Sequence, residues 1–389
     1  MLLVPSFNVI DTTESIKCNI LKNASKLIYK QKTINFDKFK IILTYSINDI
    51  SSQFIKPTPQ LISHIFPLKK QNNKVIIFLP GYNNYFYYHH VRLSYPDYDF
   101  FSLDIPGYGF NGSNSSEPYE YLNEKIEPNY FDNIDNVCDM INSVLSANYS
   151  LDDSDIDIKT YNKKYLMGFS TGGFIATNYV YKCDTEINNK YFKFDKLLLV
   201  SPLTKFYLSN NCLINNLTDF ILSIINIFNK KTNLNLNSGK PYTYALTVNK
   251  LITSIYEKMT LKNNIINDCD KYIINTNVTC NLQETAQLHS GWFAHINNTT
   301  TKIIKSNKKI ITPTKLVFSK NHTSKSNTDN DNLLYPKFII EHLSHIISHD
   351  SLMYKQFTCG HDALLEPFDN YNNDNDNISF VDICDFLLD

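Results

Sequence analysis

The chain is poor in the features that announce many protein classes. Its 389 residues include eight cysteines (Cys18, Cys138, Cys183, Cys212, Cys269, Cys280, Cys359 and Cys384), scattered without a C-x-x-C pair. That spacing offers neither a disulfide framework nor a zinc knuckle, and it suits a reducing compartment. Net charge is almost nil, with 37 basic against 38 acidic residues, so no electrostatic footprint for nucleic acid or an anionic membrane is present. The start, MLLVPSFNVIDTTES, lacks a basic n-region and Pro5 breaks its apolar run, unlike a signal peptide. No apolar run is long enough to span a bilayer; the nearest, Leu213 to Phe228, carries Asn215, Asn216, Asp219 and Asn226. A soluble cytoplasmic protein is the expectation.

What is present is a 43% hydrophobic chain, enough for one large domain with an insertion or for two domains. Residues 1–73 read as an N-terminal extension, with an amphipathic piece near Ser15 to Tyr29 and β-like runs at Phe39 to Tyr45 and Gln60 to Phe66. From Lys74 the pattern turns to short, continuously apolar strands: 75–82, 98–109, 164–173, 196–203 and 314–319. Continuous apolar strands are buried on both faces, which favours a parallel sheet. Helical patterns at Tyr130 to Leu145 and Gly173 to Tyr181 alternate with them, so the expected class is α/β, a mostly parallel sheet flanked by helices. The expected division is a first core part, 74–204, a helical cap inserted at 205–300, and a second core part, 301–389. In the cap, Leu213, Leu217, Phe220, Ile221, Ile224 and Phe228 recur at helix spacing. That stripe reads foremost as a face packed on the core, with a lid over an apolar pocket as the sharper alternative. The tail is expected to hold a helix at Leu333 to Ile347, a strand at Leu352 to Phe357 and a helix at Ile378 to Leu388, with mobile stretches at Lys320 to Asn332 and Asp369 to Asn377.

The chemistry centres on Tyr165 to Ala176, YLMGFSTGGFIA. It sets Gly-x-Ser-x-Gly where an apolar strand meets a helix, a turn so tight that bulky residues at Gly168 or Gly172 would clash. Ser170 is the candidate nucleophile. A serine hydroxyl needs a base and the base an orienting acid, in the chain order Ser, Asp or Glu, His. His361, in the loop FTCGHDALLEP after the last strand, is the candidate base. The acid should follow the strand TKLVFS; Asp331 and Asp329 both qualify, and Asp331 is preferred because an apolar helix start follows it. Asp350 and Asp362 fit less well. Donors for an oxyanion are expected from the backbone N–H groups of Thr171 and of Tyr82, in the loop after the strand ending at Pro80.

The ordered set LPGYNNYF, YDFFSLDIPGYGFNG, YLMGFSTGG, LLLVSPL, DNLLYP and GHDALLEP resembles the α/β-hydrolases of the lysophospholipase, monoacylglycerol lipase and serine aminopeptidase-like group, over roughly residues 74 to 389. HSGWFAHINNTTTKI, with the lone Trp292, resembles a segment between cap and acid strand. Pro80 stands where His usually precedes Gly81, and Phe169 where His is common in the elbow. The resemblance implies a serine hydrolase acting on carboxylic esters, among them lipid esters such as monoacylglycerol or lysophospholipid, with no cofactor and no metal. Transient membrane-surface contact through the cap is compatible with it. A non-catalytic binding relative, a peptidase, a thioesterase and a cofactor-free peroxidase are the alternatives on the same fold.

Two further patterns carry less. Gly107 to Gly112, GYGFNG, fits a dinucleotide fingerprint, but SNSSEPYEY follows it where an amphipathic helix would be needed. His342, His345 and His349 share a helical face without H-E-x-x-H, and read as a solvated face rather than a metal site.

Overall fold

The computed structural model describes residues 9–10, 27–35, 39–48, 61–67, 73–81, 91, 95, 97–103, 161–186, 192–207, 209, 211–228, 290–320, 334–357, 359, 361–364 and 380–389. Ten strands form one sheet in the order β1-β2-β3-β4-β6-β5-β7-β8-β9-β10. They are β1 (Val9–Ile10), β2 (Leu27–Asn35), β3 (Phe39–Asn48), β4 (Leu61–Pro67), β5 (Lys74–Leu79), β6 (Asp99–Leu103), β7 (Lys163–Phe169), β8 (Lys196–Val200), β9 (Thr314–Ser319) and β10 (Leu352–Phe357). Among the described residues the helices are α1 (Thr171–Thr185), α2 (Cys212–Phe228), α3 (Ser290–Lys305), α4 (Pro336–Ile346) and α5 (Phe380–Leu388).

From β6 to β10 every neighbour pair is parallel. Covering on both faces explains the continuous apolar runs: Val75 to Leu79, Leu197 to Val200 and Leu316 to Phe318 are all buried. The exception is β10, the terminal strand, where Met353 and Tyr354 are exposed. Residues 1–73 add an antiparallel wing, in which β2, β3 and β4 pair successively and β4 pairs antiparallel with β6. Strand β2 takes up Leu27 to Tyr29, the end of the stretch read as an amphipathic piece. The expected helix at 130–145 and the two expected mobile stretches, beyond Lys320, lie outside the described residues.

The six strands and the tail helices fall where the pattern put them, but α2 overturns its favoured reading. Its apolar residues face outward, with Leu213, Leu217, Phe220, Ile221, Ile224, Ile227 and Phe228 all exposed, and its buried positions include Asn215 and Leu222. Polar contacts anchor it. Asp219 accepts from Asn297 of α3 at 2.6 Å and pairs with Lys205 at 2.5 Å, while Asn215 exchanges hydrogen bonds with Ser209.

His342 also differs from expectation. It is buried on α4, with Nε2 2.7 Å from the Tyr207 hydroxyl and Nδ1 3.1 Å from Thr204 Oγ1. His345 is exposed, and His349 belongs to the 3-10 turn His349–Ser351. Helical period placed the three on one side; the partners that cover His342 come from a segment about 135 residues earlier.

Burial lowers the His342 pKa from 6.5 to about 4, helped by the positive charge of Lys205 and by His345. Glu341 and Asp219 act on the adjoining Tyr207, whose hydroxyl is pushed upward mainly by burial. Because the unfolded imidazole takes a proton more readily than the folded one, the stability gained by keeping it neutral is complete above pH 6.5 and lost as pH falls toward 4. The loss approaches about 3 kcal/mol. Urea denaturation at pH 7 and pH 4.5 should show a fall in the wild type that is smaller by roughly 2 kcal/mol in His342→Gln; equal falls would remove His342 from the account.

Candidate active site

The sheet order reverses at β5: the chain passes from β5 to β6 on one side, then crosses to β7 on the other. In open α/β sheets such a reversal opens a crevice at the carboxyl ends of the strands. Residues Gly81 and Ser170 lie just past those ends, since Leu79 pairs with Gly168 in register.

Close packing dictates the turn. A Cβ on Gly168 would lie 2.5 Å from the Gly172 carbonyl oxygen, and one on Gly172 would overlap the Leu79 carbonyl. Helix α1 therefore starts against β5 and β7 only because these two residues lack side chains. Ser170 absorbs the turn at φ 51°, ψ −115°, in the left-handed half of backbone space. Serine at a helix N-cap ordinarily bonds the first-turn N–H groups; Ser170 makes no such side-chain bond. Its Oγ lies instead 3.0 Å from His361 Nε2.

The backbone of Ser170 is held from three directions. Its N–H donates to Val200 O at 3.1 Å, and its carbonyl accepts from Phe174 N at 3.1 Å and Leu203 N at 2.8 Å. The last bond depends on a turn at Ser201, which is fully buried and at φ 39°. Pro202 fills the space beside Gly173, where a Cβ would come within 2.6 Å of its own Cβ. Sequence reasoning missed this Ser201–Leu203 clamp; the signal was Ser-Pro immediately after the β8 run.

His361 is held by its loop. Ser319, at the end of β9, donates to Cys359 O at 2.5 Å, and Lys320 N donates to Phe357 O at 2.7 Å. Past the histidine, Asp362 Oδ1 accepts from Leu364 N at 3.2 Å. The Phe169 ring lies 5.3 Å from the imidazole, so both sit in a largely apolar, buried setting. On the other side, Gly81 packs on Phe169 and Ser170, and a Cβ there would come within 3.2 Å of Ser170 Cβ.

The structure thus brings Ser170, Thr171 and His361 together. Tyr82, Asp331 and Asp329 lie outside the described residues. Asp350 is exposed, with Oδ1 3.5 Å from His349 Nδ1. Among the described residues no group of three or more His, Cys, Asp or Glu side chains could hold a metal ion, and no helix is long and apolar enough to cross a membrane.

A family model described as the alpha/beta hydrolase fold matches residues 74–192. No curated protein matches the chain in sequence. Among solved structures, the chain is similar to a monoacylglycerol lipase from Paleococcus ferrophilus, at 13% identity over 80% of this chain and 93% of that one, with a TM-score of 0.45. It is similar to a soluble variant of monoglyceride lipase from Saccharomyces cerevisiae at 14% identity, over 91% and 93%, with a TM-score of 0.44. A thioesterase domain from the curacin biosynthetic pathway follows at 14% identity, over 93% and 99%, with a TM-score of 0.39. The chain has an α/β hydrolase fold, a parallel central sheet flanked by helices.

The left-handed turn at Ser201 sets a measurable constraint. Ser201→Gly should stabilise the protein or leave it unchanged, while Ser201→Val, β-branched at positive φ, should cost roughly 1–3 kcal/mol. Equal urea midpoints for the two variants would show that the turn imposes no backbone requirement.

Proposed function

We propose that the protein is a serine hydrolase that cleaves carboxylic esters through an acyl-enzyme. The carrying observation is the 3.0 Å approach of His361 Nε2 to the Oγ of a serine held in a strained turn. Strain of that kind persists where surrounding structure enforces it, and it clusters at reactive sites.

In this reading the Ser170 hydroxyl donates to His361 Nε2 and Oγ attacks the ester carbonyl. A carbon–oxygen bond forms, the carbonyl π pair moves onto oxygen, and the hydroxyl proton passes to His361. Collapse of the tetrahedral species expels the alcohol oxygen, which takes that proton; water then repeats the sequence and releases the acid. Asp331 holds the imidazolium, with Asp329, two positions earlier, as its rival. The N–H groups of Thr171 and Tyr82 receive the oxyanion, and Thr171 is suited to this because the first N–H groups of a helix have no intrahelical partner.

A lipid ester, such as a monoacylglycerol or a lysophospholipid, is the substrate class we favour. The apolar Phe169 beside His361 and the outward apolar face of α2 support it. The helix carries no Lys, Arg or Glu, and its single acidic residue, Asp219, is engaged on the inner side with Lys205 and Asn297, so contact with a neutral lipid surface through the 205–300 cap is the corresponding reading.

A fluorophosphonate probe should label the wild type and fail on Ser170→Ala; equal labelling would dismiss Ser170 as nucleophile. In an ester-hydrolysis assay Asp331→Asn should slow turnover by roughly 10⁴-fold, and a larger loss in Asp329→Asn would transfer the acid's role. Zwitterionic, net-neutral phosphatidylcholine vesicles should sediment the wild type, whereas Phe220→Ser with Ile224→Ser should stay in the supernatant; sedimentation unchanged by the double substitution would sever α2 from lipid contact.

A further inference from the structure

The first turn of α1 contains a hydroxyl that the fold leaves unused. Thr171 Oγ1 is buried and finds no hydrogen-bond partner among the described residues. Other threonines of the same helix show what is ordinary: Thr177 donates to Gly173 O at 2.8 Å and Thr185 to Tyr181 O at 2.7 Å, each to the carbonyl one turn back. Thr171 opens the helix, so no helical carbonyl precedes it by a turn. A buried hydroxyl left unmatched is destabilising, and the position next to Ser170 suggests what it awaits.

Helical Cα–Cβ bonds tilt toward the N-terminus, so the Thr171 side chain leans the same way as the free N–H groups of the first turn. Three bonds separate Oγ1 from the amide nitrogen of the same residue, so one oxygen can accept from both. No acidic side chain of the first turn of α1 competes there, and the positive end of the helix dipole favours a developing negative charge.

We propose that the Thr171 hydroxyl is a catalytic residue, a side-chain donor to the tetrahedral oxyanion in addition to the backbone N–H groups. It rests on Ser170 being the nucleophile. As the Ser170 Oγ–carbon bond forms and the π pair moves onto the carbonyl oxygen, that oxygen accepts from Oγ1–H. The hydroxyl keeps its proton throughout and returns to its unmatched state when the carbonyl re-forms. The identity of side chain 171 therefore matters to rate, and only through its hydroxyl.

The test compares four variants of the full chain on p-nitrophenyl butyrate, with thermal unfolding measured alongside. Thr171→Val is nearly isosteric, and should lower kcat by about 10- to 100-fold with KM within about two-fold, while Tm stays level or rises because an unmatched polar group is gone. Thr177→Val, which removes a hydroxyl that is already bonded, should do the reverse: a lower Tm and an unchanged kcat. Thr171→Ser and Thr171→Ala lose the same methyl and differ in the hydroxyl alone, so Ser should exceed Ala in kcat by about ten-fold. Equal kcat for Ser and Ala, or wild-type kcat in Val, overturns the proposal, and the Ser–Ala pair decides should Val not fold. The underlying reading fails separately, if wild-type turnover survives Ser170→Ala.

Discussion

Everything at this site hangs on how closely one helix start can approach two strand ends. With a side chain at Gly168 or Gly172, α1 could not begin against the Leu79 carbonyl, and Ser170 would have no reason to adopt φ 51°. Strained residues cost of order 1–3 kcal/mol each. They are held because the surrounding strands are fully buried and will not relax: Leu79, Phe169, Leu199 and Val317 are among the least exposed residues of the described core. The rigidity of the sheet interior is what makes a reactive geometry affordable at its edge.

The segment after β8 serves two masters. Through Leu203 it caps the Ser170 carbonyl, and through Thr204, Lys205 and Tyr207 it reaches α4, α2 and α3. Thr300 of α3 donates to the Thr204 carbonyl, and Asn297 bridges Phe206 N and Asp219. Such a buried polar network is unforgiving: fully matched it fixes one arrangement, and a missing member exposes the rest to the low dielectric. The neutral state of His342 belongs to this logic, since burial and the positive charge of Lys205 both disfavour a second cation there.

The parallel strands could be read from sequence because burial on both faces writes itself as unbroken apolar runs, as in VIIFL and KLLLV. The meeting of Ser170 and His361 could be read for a related reason: glycines at fixed offsets mark a tight strand-to-helix turn, and the loop after the last strand leaves the sheet at the same end. The orientation of α2 could not. Periodicity reveals that Leu213, Leu217 and Phe220 share a face, but not whether protein lies on it, and Asn215 and Asp219 found their partners 6 and 78 residues away along the chain. The burial of His342 was hidden in the same manner, and Asp329 and Asp331, two positions apart, were separated in the sequence only by the apolar residues that follow Asp331. Ser201 shows a further limit: a left-handed serine looks like any other until the strands around it are assembled.

The sheet ends at β10, six residues long and paired on one side with β9. Its side chains from Met353 to Gln356 are exposed, and Lys355 puts a charge in the middle of the strand. An edge so short, with a lysine at its middle, is a poor template for another strand. The same six residues also fix the height at which the chain leaves the sheet on its way to His361, so the feature that discourages sheet-to-sheet aggregation and the one that carries the imidazole-bearing loop are a single strand. A foreign strand that did succeed in pairing there would dock onto the support of that loop, making self-association and loss of the Ser170–His361 approach one event.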